Sequence, residues 1–443
     1  MPDPYSSPDP VADEVDPSSD AAAPGLLTRL RRIGPAIIVA AVVLGPGSIV
    51  SASRVGCQYG YDLLWLVPLA GLLMTAMTIA AMANGALHPE TPCSAVAKRF
   101  GRPAAWMVGG SMLVAVTMFQ ASNNNAMLMA VEGFTRTPGT AAEPHSVIVR
   151  VGIPLLLNLG IIAMLILGKR NLYRWIESAM ALLVAAMVLA FAANMLAATP
   201  SPMAVARGLV PKMPNTEFGG AVAWLTAGAM VATTFSVAGA FYQSYQVREK
   251  GWGRNDLSTG VTDSVVGIAT LALITMMILI TGAAALGGRV KPSELTDAAA
   301  VAQALEPMFG RMAQYVFAAG VFAGAISSFV VNALIGGVVF ADSINIGSKM
   351  SQPGVRNSTI GVLMLGWLVA AVAIWTETPL ADFIIIAQSL TVLAFPILAA
   401  TVIWQYHQVD RSRLPGWVLP ACWLGLLVAV GLSIRTVAKL VGG

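Results

Sequence analysis

The chain has 443 residues, 56% hydrophobic and only 11% charged, with 26 basic and 22 acidic side chains. So few charges cannot solvate the surface of a soluble protein of this length, and the composition is that of a chain crossing a membrane many times. It leaves no room for the soluble motor domains of an ATP-driven pump. The net charge of +4 comes from loop residues and calls for no nucleic-acid partner.

Residues 1–25, MPDPYSSPDPVADEVDPSSDAAAPG, hold acids, prolines and serines but no Lys or Arg. They cannot bury apolar area, so a disordered tail is expected, and without a basic start and an apolar stretch they are no signal peptide. The rest, 26–443, reads as one membrane domain. Apolar runs mark about eleven spans near 33–58, 62–86, 103–131, 147–167, 172–197, 217–246, 261–287, 311–341, 358–375, 380–405 and 416–437. Basic residues gather in alternate loops: Arg29, Arg31 and Arg32; Lys98, Arg99 and Arg102; Lys169, Arg170 and Arg174; Arg248, Lys250 and Arg254; Lys349 and Arg356; Arg411 and Arg413. The bias predicts an inner (plasma) membrane protein with a cytoplasmic N-terminus, and the odd span count then puts the C-terminus outside.

Two spans read as broken. In the first, Gly45-Pro46-Gly47-Ser48 interrupts an apolar run, and proline both lacks a donor and clashes with the preceding turn. In the sixth, GAMVATTFSVAGAFYQSY places Thr233, Thr234 and Ser236 in series with Gly239 just after. Breaks are expected at Gly45, Pro46, Gly47, Thr233 and Gly239. Unpaired backbone in a bilayer is tolerated only where it lines a protein-walled or wet cavity. Each segment alone also fits a bland reading, a proline kink or a Ser/Thr packing face. Together, five spans apart, they fit two inverted five-helix repeats, 33–197 and 217–405, with an extra helix at 416–437.

Other polar residues carry two readings each. Cys57, Cys93 and Cys422 lie in separate segments without metal-type spacing and read as small buried residues. His88, His145 and His407 fall in or near loops, which disfavours a histidine metal site or proton relay. Asp263, Asp342 and Asp382 stand near span ends and read as interfacial charges facing water, with ion coupling as the alternative for Asp263. Asn123-Asn124-Asn125 cannot all face one partner, since neighbours on a helix point about 100° apart. Helix–helix bonding accounts for some of them and a polar path for the rest. Ser327, Ser328 and Asn332 read as packing contacts or as ligands. Arg54 reads as a snorkelling anchor or a gating charge.

The residues resemble the Nramp family. The first span and its tail, GPGSIVSASRVGCQYGYDLLW, are similar to the family's Asp-Pro-Gly-Asn segment and the residues after it, closest over Gln58–Trp65. GKRNLYRWIESAM is similar to the entry into helix five, and ARGLVPKMPNTEFGGAVAWLTAGAMV to the outer loop and first half of helix six. AQSLTVLAFP carries Gln388 and Pro396 like the family's helix-ten pair. The similarity covers roughly residues 30–405. It implies an all-α polytopic membrane protein of LeuT-like fold, a proton-coupled importer of divalent metals, with no enzymatic activity and no cofactor.

Where the sequence departs from the family, it departs at the metal site. The family's helix-one aspartate and asparagine fall at Gly45 and Ser48. Register on Gly228-Ala229 puts its Met-Pro-His segment at Ala232, Thr233 and Thr234. Its acidic helix-three pair has no counterpart, since Ala104 to Val131 contains no Asp or Glu. The resemblance therefore implies a substrate pocket of Gly45, Ser48, Ala232, Thr233, Thr234, Ser236 and Gln388, with a polar path through Asn123, Asn124 and Asp263. Dehydrated Mn²⁺ or Fe²⁺ calls for carboxylate, imidazole or sulfur, and these positions offer none. Three substrates stay open: a hard or hydrated divalent cation such as Mg²⁺, a monovalent ion or neutral solute, or none in a membrane sensor. Proton coupling is expected to be weak or differently routed. The partners are the small ion or solute and the lipid bilayer.

Overall fold

The computed structural model describes residues 35–135, 146–167, 172–212, 230–231, 234–292, 295, 301, 324, 326–378, 383, 386–387 and 390–442. Among them the regular structure is helical. In chain order these are α1 (Pro35–Val43), α2 (Pro46–Tyr59), α3 (Leu66–Leu87), α4 (Pro92–Phe100), α5 (Arg102–Thr135), α6 (Val147–Leu167), α7 (Leu172–Ala197) and α8 (Pro202–Gly208). They continue with α9 (Val237–Glu249), α10 (Leu257–Thr281), α11 (Ile326–Ser343), α12 (Pro353–Trp375), α13 (Phe395–Tyr406) and α14 (Val418–Gly442).

Eight helices among the described residues are long and apolar enough to cross a membrane. The interrupted first helix, α9 and the shorter apolar stretch Val392–Tyr406 fall in the other three of the eleven segments read from the sequence. Apolar side chains cover these helices on all sides, as expected where lipid rather than water is the outer solvent. Leu156, Leu182, Leu189, Leu196 and Leu427 are exposed, whereas α3 is buried along most of its length.

Packing centres on α3, which contacts α9, α10, α13 and α14. α1 lies against α7, α9 and α10, and α5 against α12 and α4. α2 meets α10 and the π-helical turn Gly282–Leu286 that ends it. Gly56 makes that approach possible, since a Cβ there would stand 2.2 Å from the Leu279 carbonyl oxygen. Arg54 of α2 donates from Nε to the Leu295 carbonyl at 2.6 Å. Cys57, Cys93 and Cys422 are free thiols, all buried.

Two carboxylates expected to face water are buried. Asp263, in the second turn of α10, is 0% exposed and accepts the Ala36 backbone N–H at 2.9 Å and Gln243 Nε2 at 3.4 Å. It thereby caps the N-terminus of α1, where the helix dipole favours a negative charge. Asp342, at the end of α11, accepts the hydroxyls of Thr91 (2.7 Å), Ser94 (3.0 Å) and Tyr245 (2.7 Å) and the Cys93 N–H (3.1 Å). Neutral donors replace the water that an interfacial carboxylate would have, and hydrogen bonds to a charged group are the stronger kind. Asp382 lies outside the described residues.

Candidate functional site

The first helix stops at Val43 and restarts at Pro46. Gly45 is the N-cap of α2 with extended backbone (φ −80°, ψ 171°), and Pro46 and Gly47 occupy the first turn. The interruption is therefore at Leu44–Gly45, and Pro46 sits where its missing N–H costs nothing. Leu44 N–H still reaches the Ala40 carbonyl at 3.3 Å, while Ser48 N–H and Ile49 N–H both turn back to the Gly45 carbonyl. Ser48 Oγ donates to the Val43 carbonyl at 2.6 Å, so a side chain replaces one of the backbone bonds lost at the break.

Two further helices close on this break. A Cβ on Gly45 would stand 3.1 Å from Ser328 Oγ of α11 and 3.8 Å from Asn123 Oδ1 of α5. A Cβ on Gly324 would stand 2.4 Å from the Leu44 carbonyl oxygen, so the unwound backbone lies directly against the residue two before α11. Ser327 Oγ donates to the Gly324 carbonyl at 2.9 Å. Ser328 thus joins Gly45 and Asn123 at the break, where the sequence left it open between packing and ligation. The signal was present as Gly324-x-x-Ser327-Ser328, with hydroxyls three and four residues after a glycine on one helix face.

In the sixth span the helical residue Thr234 is followed by a break at Phe235–Ser236. Phe235 N–H reaches the Val231 carbonyl at 2.7 Å, and Ser236 (φ −86°, ψ 92°) is the N-cap of α9. Gly239, expected at the break, lies inside α9 instead. With an extended residue available at Ser236, the chain restarts its helix at Val237 and needs no glycine. Thr234 and Ser236 are both buried. Ala232, Thr233 and Gln388 lie outside the described residues.

Among the described residues the hydrogen bonds of the expected polar path do not join Asn123 and Asn124 to Asp263. Asn123 Nδ2 approaches Gln120 Oε1 at 3.5 Å, Asn124 Nδ2 donates to the Gln120 carbonyl at 2.8 Å, and Asn158 Nδ2 of α6 donates to Asn124 Oδ1 at 2.7 Å. These amides lead from the break towards α6. Asp263 stands at the other end of α1, beside Ala36, nine residues or about 13 Å along a helix from Gly45. Buried atoms without a partner remain at Gln120 Nε2, Ser122 Oγ, Asn158 Oδ1 and both amide atoms of Asn125.

The described part of the site is thus a set of neutral oxygens at an interrupted helix, with the Met187 thioether beside them, since a Cβ on Gly324 would stand 3.2 Å from its Sδ. Among the described residues no group of three or more His, Cys, Asp or Glu could hold a metal ion. Interrupted membrane helices that bring unwound backbone against a neighbouring helix define a secondary-transporter fold.

Comparison with known proteins agrees. The chain is similar to a variant of the Eremococcus coleocola manganese transporter, with a TM-score of 0.76 at 17% identity over 95% of this chain and 90% of that one. It also resembles MhsT, solved in complex with L-phenylalanine, with a TM-score of 0.59 at 14% identity over 91% of this chain and 98% of that one. The sequence model of the family described as "Natural resistance-associated macrophage protein-like" matches residues 36–439. The chain belongs to the Nramp family. Among its curated relatives are proteins described as "Divalent metal cation transporter MntH". That of Aeromonas hydrophila subsp. hydrophila is 24% identical over 73% of this chain and 76% of its own length. That of Klebsiella pneumoniae subsp. pneumoniae is 24% identical over 74% and 76%.

Proposed function

We propose that this chain is a secondary transporter for a small, hard cation, nominally a divalent metal ion that keeps part of its water shell, with Mg²⁺ ahead of Mn²⁺ or Fe²⁺. The reading is carried by the donor set at the Leu44–Gly45 break: the Asn123 amide and the Ser48 and Ser328 hydroxyls lie there, with the single Met187 thioether beside Gly324, and among the described residues no group of three or more His, Cys, Asp or Glu could hold a metal ion. Hard cations prefer oxygen, and Mg²⁺ gives up its waters reluctantly, so it needs fewer direct ligands than a stripped transition metal. Family membership and the relatives' descriptions support a metal cargo. Thr234 and Ser236 would complete the pocket from the sixth span, with Ala232, Thr233 and Gln388 as further lining. Access would alternate by rocking of the interrupted helices against the rest, in a membrane orientation with the N-terminus cytoplasmic. Proton coupling would be weak, because amides occupy α5 where the family's acids are expected.

The test is uptake by the full chain in proteoliposomes, with Mg²⁺ and Mn²⁺ offered singly and in competition. Mg²⁺ uptake that Mn²⁺ fails to suppress, and that drops at least tenfold in Asn123→Leu, is the expected result. Preferential Mn²⁺ uptake with a strong inward proton current would sink the reading. A second reading is a zwitterionic or neutral solute, favoured by the absence of formal charge among the described residues at the break. It predicts uptake of neither metal.

A further inference from the structure

We infer that the corner where α4 turns into α5, together with the end of α13, is a binding site for an anionic phospholipid. Its phosphate sits among arginines and one acyl chain lies along α5. The site is on the outer surface of the bundle and does not depend on the cargo proposed above.

Gly101 builds the corner. Its φ of 90° is an angle that residues with a side chain rarely adopt, and it turns the chain from α4 directly into α5. Arg99 and Phe100 therefore end one helix where Arg102 begins the next. Arg99 lies over the Phe100 ring, 5.7 Å from its centroid. Phe100 in turn packs on Trp404 of α13, with ring centroids 5.0 Å apart and planes at 54°. That contact joins the corner to the end of α13, where Arg411 lies 5.8 Å over the Tyr406 ring and Arg413 follows.

The basic residues of this region are of two kinds. Lys98 holds Glu90 at 2.6 Å, and Arg254 pairs with Asp410. The acids nearest in sequence are thus taken. Arg99, Arg102, Arg411 and Arg413 are exposed, and among the described residues none of them has a carboxylate partner. A guanidinium seated on a ring keeps the N–H groups at its edge, and these meet phosphate oxygens in pairs. Clusters of Lys and Arg at the membrane surface recognise acidic headgroups in this way. Topology alone asks for positive charge in a loop, but not for arginines seated on rings beside an apolar groove.

The surface beyond the corner suits an acyl chain. Trp106, Met107 and Val114 of α5 are exposed. Gly110 stands four residues from both Trp106 and Val114, hence on the same helix face, and a Cβ there would meet nothing within 4 Å. It leaves a notch in an apolar stripe that runs roughly 18 Å along the helix from Arg102 to Val114. A soluble phosphate would use only the arginines, whereas a diacyl lipid uses the arginines and the notch together.

The experiment is native mass spectrometry of the purified full chain from detergent holding equal amounts of phosphatidylglycerol and phosphatidylcholine with matched chains. A preference of about fivefold or more for phosphatidylglycerol is expected. It should be lost in the double variant Arg99→Gln with Arg411→Gln. It should persist in Lys98→Gln with Arg254→Gln, which removes the same charge from groups that already have acids. Gly110→Leu, with every arginine in place, should lower phosphatidylglycerol retention about twofold or more by filling the notch. Equal retention of both lipids by the wild type overturns the inference. Equal losses in the two double variants also overturn it, since bulk charge would then be the cause. So does displacement of the lipid by inorganic phosphate, which would make this a site for a free anion. Retention untouched by Gly110→Leu overturns the placing of the chain along α5.

Discussion

The ends of the bundle and the break in its first helix treat charge in opposite ways. At the ends, Asp263 and Asp342 are buried carboxylates saturated by N–H and O–H donors, and each ties elements together: α10 to α1, and α11 to α4 and α9. At the break the described groups are an amide, three serine hydroxyls, main-chain carbonyls and the Met187 thioether beside Gly324. The contrast teaches that a buried acid in a membrane protein is not by itself a substrate ligand. Here Asp263 and Asp342 hold helices in place, and the described side chains at the position proposed to meet a substrate are neutral.

Removing the structural acids should have the largest effects. Asp342→Ala strands three hydroxyls and a backbone N–H and should cost at least about 3 kcal/mol in thermal or denaturant unfolding. A loss under about 1 kcal/mol would mean that water replaces the carboxylate and the cluster is not structural. Asp263→Ala should cost about 2 kcal/mol, and Asp263→Asn less, because the amide oxygen can still accept the Ala36 N–H. Equal losses for Ala and Asn would put the effect on charge rather than on the cap. Tyr245→Phe, which deletes one bond of the Asp342 cluster, should cost about 1–2 kcal/mol. Ser48→Ala should be mildest in stability, about 1 kcal/mol, since it leaves one carbonyl at an already open backbone. A loss as large as that for Asp342→Ala would erase the proposed difference between the two regions.

Cysteine chemistry adds a smaller check. Burial first, then the adjacent Asp342 carboxylate, pushes the Cys93 thiol well above its ordinary pKa. It stays protonated at neutral pH, and maleimide should label it only after unfolding. Rapid labelling of the folded chain would show that the Asp342 cluster opens.

Much of the architecture was legible in the sequence because hydropathy is a direct consequence of the bilayer as solvent. The first interruption was legible because Gly45 and Pro46 are steric breakers in an apolar run. The second was expected at Thr233 and Gly239, on either side of the Phe235–Ser236 break, because TTFSV contains no such breaker. There the helix ends through the backbone angles of Ser236, which tertiary packing selects. Asp263 and Asp342 were misread because a residue's distance from a helix end says nothing about what packs over it. Ser328 was ambiguous for the same reason: its nearness to Gly45 is a contact between residues 283 positions apart, and no local pattern records it.

The most direct test of a neutral break is calorimetric titration of the purified chain with Mn²⁺, beside Gly45→Asp. The account predicts no Mn²⁺ binding heat in the wild type and a gain in the variant, once Ser328 shifts to admit the new side chain. Tight Mn²⁺ binding by the wild type, unchanged by the added carboxylate, would contradict it.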